Sequence, residues 1–153
     1  MQTKGRCKHM LTLKRLDIED ANALMAAARR VAIEIAVPMC IAVSDEAGNL
    51  IAFERMDGAK IPSGTIAIDK AFTAAGIRKG TDALAKVSQP GQPAYGIAST
   101  VGGRMTTFAG GLPVVVNGAT VGAIGVSSGS PDQDLFVAQA AVQAFHTPNK
   151  SKS

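Results

Sequence analysis

Inside the otherwise apolar run IAIDKAFTAAGI, residues 66 to 77, stand Asp69, Lys70 and Thr73. At helical spacing Asp69 and Thr73 lie four apart and Lys70 and Thr73 three apart, so the three share a face. The plainer reading is a solvated stripe in which Asp69 pairs locally. The chemical reading is a polar patch on a pocket wall, where Thr73 or Lys70 meets a ligand. Burial there would lower the Lys70 pKa and make the amine a base or an imine-former. Arg55, Asp57, Tyr95 and Arg104 complete the polar candidates. Tyr95, the only tyrosine, sits in PGQPAYGI as either a core-edge aromatic or a pocket donor. Arg55 and Arg104 suit carboxylate clamps, because the guanidinium fork matches two oxygens. One function follows: a small metal-independent enzyme acting on an organic acid or imine. It would be a hydrolase, tautomerase or isomerase, with Lys70, Asp69 and Tyr95 as catalytic groups.

Other chemistries lack their residues. The two histidines, His9 and His146, stand at the margins of the chain, so a Ser-His-Asp or Cys-His site would draw its base from a tail. Cys7 and His9 are an isolated pair of potential ligands, and no metal site is expected. Met56 and Met105 are read as core filler rather than haem ligands. The stretch FAGGLPVVVNGATVGAIGVSSG, residues 108 to 129, has neither the Gly-Lys-Ser/Thr ending of a phosphate loop nor a dinucleotide fingerprint opening a helix. Its Asn117-Gly118 is a two-residue hairpin turn, and Gly110-Gly111 marks a bulge or a close backbone approach, a ligand included.

The bulk composition narrows the class. A chain of 153 residues, 46 % hydrophobic and 18 % charged, is one globular domain. The net charge of +4 belongs to the ends: residues 16 to 148 hold nine bases and twelve acids, so nucleic-acid binding is not expected. With 4 % aromatics and no Trp there is no stacking platform for bases. Cys40, in MCIAV, is expected buried. The longest apolar run is too short for a bilayer and no signal peptide is visible, so the expected setting is cytoplasmic, without a membrane partner.

Residues 1 to 11 are predicted to be a disordered leader, 12 to 146 a single domain, and 147 to 153 a disordered tail. Asp17 and Asp20 start a helix that Pro38 ends; MCIAVSDEAGNLIAFERM is strand, turn, strand. A second helix begins near Ser63, and Thr81 caps a short third. MTTFA, residues 105 to 109, is a third strand, and the Asn-Gly hairpin supplies two more. Ser130, Pro131 and Gln133 open the last helix as a capping box. The sum is an α/β (α+β) fold: a five-stranded antiparallel sheet flanked by helices.

Five ordered motifs carry a resemblance: RMDGA at 55–59, IAIDKAFTAA at 66–75, QPGQPAYGI at 89–97, FAGGLPV at 108–114 and VGAIGVSSGSPDQD at 121–134. Together, over residues 11 to 145, they resemble the GlcG/HbpS family, which also supplies the C-terminal domain of PduO-type cobalamin proteins. The resemblance implies a profilin-like sandwich, dimers that often stack into octamers, and a haem or corrinoid pocket between subunits. Some relatives sense or counter redox stress, and others stand in catabolic operons. Carried over, the ligand wall includes Lys70, Phe72 and Thr73, with Tyr95 and Phe108 as neighbours and Thr73 as an oxygen ligand or pocket hydroxyl. The Glu-x-x-Glu iron sites of the exported haem sensors are absent from this sequence, and a histidine ligand is not evident. The resemblance therefore implies a tetrapyrrole held by oxygen or without coordination.

Overall fold

The computed structural model describes residues 10–147. The elements are α1 (Ile18–Glu34), β1 (Cys40–Asp45), β2 (Leu50–Arg55), α2 (Ser63–Ile77), α3 (Thr81–Val87), β3 (Gly111–Val116), β4 (Ala119–Ser127) and α4 (Pro131–His146). The expected leader and tail fall chiefly on residues 1–9 and 148–153, outside the described residues.

Two hairpins make one antiparallel sheet in the order β2-β1-β4-β3, joined by β1 against β4. The first turns at Asp45, whose Oδ1 accepts the amides of Ala47 and Asn49 at 2.9 and 2.8 Å. The second turns at Asn117-Gly118, with φ of 51° and 78°, the left-handed pair that a two-residue hairpin needs. Among the described residues four strands, not five, form the sheet. The segment 105–109 is irregular because the Thr106 amide donates to the Thr73 hydroxyl at 3.0 Å instead of to a strand.

The two faces of the sheet are packed differently. Ile41, Val43, Ile124 and Val126 point toward α1 and α4, where Leu24, Ala28, Val137 and Ala141 close a large-residue core. Each of the Leu, Ile and Val side chains contributes roughly 1.5–3 kcal/mol on burial. The opposite face carries Cys40, Ala42, Ala123 and Gly125, all small, against Ala67, Ala71, Ala74 and Ala75 of α2. Small residues on both sides let the backbone of α2 descend onto the strands. A Cβ on Gly125 would collide with the Ala67 carbonyl and stand 2.6 Å from the Ala71 nitrogen; one on Gly111 would stand 2.5 Å from the Lys70 carbonyl. The close approach expected at Gly110-Gly111 is therefore an approach to α2.

Helix starts follow local chemistry. Asp17 and Asp20 form a reciprocal capping box, and Ser130 and Gln133 form another with Pro131 in the first turn. Two details differ from the sequence expectation. The first helix stops at Glu34, before Pro38, because Ala36 turns left-handed at φ 56°. Thr81 does not cap α3: Gly80 does, and the buried Thr81 hydroxyl instead accepts the Gly111 amide at 2.9 Å. Among the described residues no helix is long and apolar enough to cross a membrane.

Candidate ligand site around helix α2

The three polar residues of α2 reach separate places. Lys70 is wholly buried. Its Nζ donates to the Val126 carbonyl at 2.8 Å and to Asp134 Oδ2 at 2.7 Å, and lies 4.8 Å from the centre of the Phe108 ring. Asp134, also buried, accepts the Gly129 amide on its other oxygen at 2.9 Å. Burial pushes the Lys70 pKa down, and the hydrogen bond and charge of Asp134 work against that. The amine is thus paired and roofed by Phe108, with no opening to a substrate in this conformation.

Thr73 is equally occupied. Its Oγ1 donates to the Arg104 carbonyl at 3.1 Å and accepts from the Thr106 amide, so the hydroxyl ties the 104–106 segment to α2. Asp69 stays half-buried on the flank, where Oδ1 accepts from Arg104 Nε at 2.8 Å. The Arg104 guanidinium carbon sits 3.8 Å from the Phe72 ring centre. Asp69, Phe72, Thr73 and Arg104 therefore converge, whereas Lys70 leaves toward the far layer.

Arg55 and the outer side of α2 border a different feature. Between β2 and the start of α2 runs a groove of about 520 Å3 lined by Phe53, Arg55, Ile61, Gly64, Thr65 and Ile68. That is within the size range of small-molecule sites. Phe53 and Ile61 are exposed at 41 % and 71 %. Cys40 lies beneath, directly opposite Arg55 in the strand register; burial raises its thiol pKa and Arg55 partly offsets the rise. Asp57 follows β2 on the surface, Tyr95 is 68 % exposed in the loop after α3, and Phe108 is part-exposed beside the Lys70 amine. A second hollow of about 570 Å3, at the β3–β4 turn, is lined by Leu13, Glu46, Arg78 and Thr120 among others and has no aromatic wall.

Residues 16–143 match the family described as haem degrading protein HbpS-like. The chain belongs to the HbpS-like family. It is 40 % identical over 125 residues to an uncharacterized 15.0 kDa protein from the dhaT-dhaS intergenic region of Citrobacter freundii, spanning 82 % of this chain and 88 % of that one. The crystal structure of Klebsiella pneumoniae protein ORFY superposes with TM-score 0.89 at 35 % identity, covering 91 % and 96 % of the two chains. A PduOC:heme complex superposes with TM-score 0.82 at 35 % identity, covering 85 % and 94 %.

Sequence reasoning about this HbpS-like chain did not find Asp134, Phe53, Ile61 or Ile68. Asp134 lies 64 residues from Lys70, and its place in the first turn of α4 explains an acid without any partner. The groove had a weak signal: Phe53 and Arg55 alternate along β2 and so share a face, whereas Ile61 precedes α2 and no helical spacing ties it to Ile68.

Proposed function

We propose that this protein binds a haem-type tetrapyrrole in the β2–α2 groove, as a cytoplasmic homo-oligomer in which a neighbouring copy covers the groove's open side. One observation carries the reading. The groove combines an exposed apolar wall with a single guanidinium, Arg55, in a chain 35 % identical to one solved with haem. Phe53, Ile61 and Ile68 suit a flat apolar ring, and Arg55 suits a propionate.

The donor set matters for the iron. Among the described residues the one histidine, His146, ends α4 on the other side of the sheet. The Met56 sulfur accepts the Met39 amide at 3.4 Å, and the Thr73 hydroxyl is spent on the 104–106 segment. Thr65 is the oxygen donor on the groove itself. The residues suit the ring and one of its carboxylates, and for the metal they offer oxygen rather than imidazole. Exposed Ile61, Tyr95 and Val101 support burial against another copy.

Titration with hemin followed by Soret absorbance tests the proposal. Saturable binding that weakens in Phe53→Ala and Arg55→Ala supports it. A spectrum identical to that of hemin mixed with an unrelated basic protein rejects it.

A further inference from the structure

Arg104 lies within the irregular stretch between α3 and β3, and it is held on three sides. Its Nε donates to Asp69 Oδ1 at 2.8 Å, its guanidinium stacks on Phe72 at 3.8 Å, and its own carbonyl accepts from Thr73 at 3.1 Å. Phe72 is fixed in turn by the β1–β2 turn, where a Cβ on Gly48 would come 2.8 Å from its ring. The plane of the arginine is therefore set by its surroundings.

Those anchors use one nitrogen and one face. Among the described residues no acceptor binds Nη1 or Nη2, although the side chain is only 41 % exposed. The uncommitted edge is the one that matches both oxygens of a carboxylate. Fixing a guanidinium beforehand removes much of the ordering cost of binding. Just upstream, Val101, Gly102 and Gly103 all have positive φ, at 52°, 64° and 80°. A β-branched residue rarely takes that conformation, and such strain gathers at ligand clamps.

We infer that Arg104 is a carboxylate receptor, separate from the Arg55 groove, for an acid carried on a flat or apolar body. Asp69 is its positioning residue: it fixes Nε while opposing the incoming charge. The carboxylate has two chemical sources, a free organic acid or the propionate of a tetrapyrrole. The free-acid case stands independently of the function proposed above.

The test measures binding of benzoate, hemin and hemin dimethyl ester to the wild type and to Arg104→Met, Arg104→Lys and Asp69→Asn. Amide shifts at Gly102 and Gly103 report benzoate, and the Soret band reports the porphyrins. Benzoate affinity is expected to fall roughly tenfold in both arginine variants. It should rise in Asp69→Asn, which keeps an acceptor for Nε without the charge; a purely structural tie would not produce that gain. Dependence on Arg104 seen with hemin and lost with its ester assigns the propionate; dependence with benzoate alone assigns a free acid and leaves hemin binding to the other groove. Equal affinities of the wild type and both Arg104 variants for benzoate and for hemin overturn the inference.

Discussion

Lys70 of α2 and Asp134 of α4 meet at 2.7 Å around the exit of β4, so one buried ion pair fastens the helices that cover opposite faces of the sheet. The pair is fully served. Lysine also donates to the Val126 carbonyl and faces the Phe108 ring, while aspartate accepts the Gly129 amide. Gly110 makes the crossing feasible, because a Cβ there would stand 2.7 Å from the lysine nitrogen.

Removing one partner leaves a buried charge without compensation. Lys70→Met and Asp134→Ala are each expected to cost about 3–5 kcal/mol in urea unfolding. The double variant Lys70→Met with Asp134→Leu should recover a large part of that loss, since two apolar groups leave no stranded charge. A double variant as unstable as the two single losses added together would contradict this account.

Glycines in the same fold divide into two kinds, and alanine separates them. At Gly125 a methyl group meets the main chain of α2, which has no flexible end to move aside. Gly125→Ala is expected to destabilise by roughly 3 kcal/mol or more. At Gly76, in α2, nothing among the described residues lies within 4 Å of an added Cβ and φ is helical. Gly76→Ala should stabilise by about 0.5–1 kcal/mol. Paired thermal melts decide both signs.

That contrast also shows where sequence legibility ends. The capping boxes at Asp17 and Ser130 and the Asn117-Gly118 hairpin are local, so a few neighbouring residues determine them. The segment MTTFA has strand propensity, but a hydroxyl 33 residues earlier captures its amide, and tertiary context overrides propensity. The sites divide in the same way. Helical spacing places Asp69 and Thr73 together, and both do meet Arg104. It also places Lys70 with them, yet the long flexible stem of lysine carries its amine to the other layer, toward an aspartate that no periodicity connects to it. The apolar groove depends on two short elements lying side by side, which neither period reveals alone.

Thr73 provides the third prediction. Its hydroxyl serves as both donor and acceptor for the 104–106 segment, so the isosteric Thr73→Val leaves a carbonyl and an amide unpaired. The expected cost is about 1–3 kcal/mol. Hydrogen exchange at the Thr106 amide should accelerate well beyond the change at the Val126 amide, which donates to the Gly110 carbonyl at 2.8 Å. Uniform acceleration at both sites would mean the hydroxyl supports the whole fold rather than this segment.

The last prediction concerns acid. For Asp45, burial pushes the pKa up, but hydrogen bonds from the Asn49 amide, the Asn49 side chain and the Ala47 amide, aided by Arg15, leave it below its ordinary value. For Glu46 the hydrogen bond from Arg15 is the largest cause of a lowered pKa, with burial opposing it. Both carboxylates hold their protons less firmly when folded, so the unfolded chain binds more protons in the window between the two values. Their stabilising contribution is therefore complete above the ordinary carboxylate range of about pH 4 and disappears as pH falls through the lowered folded values. Arg15 Nε donates to Glu46 at 2.9 Å, so Arg15→Ala should return the Glu46 midpoint toward its ordinary value and leave Asp45 held chiefly by its own turn. Carboxyl chemical shifts followed through an acid titration measure both midpoints. An unchanged Glu46 midpoint in the variant would show that Arg15 does not set it.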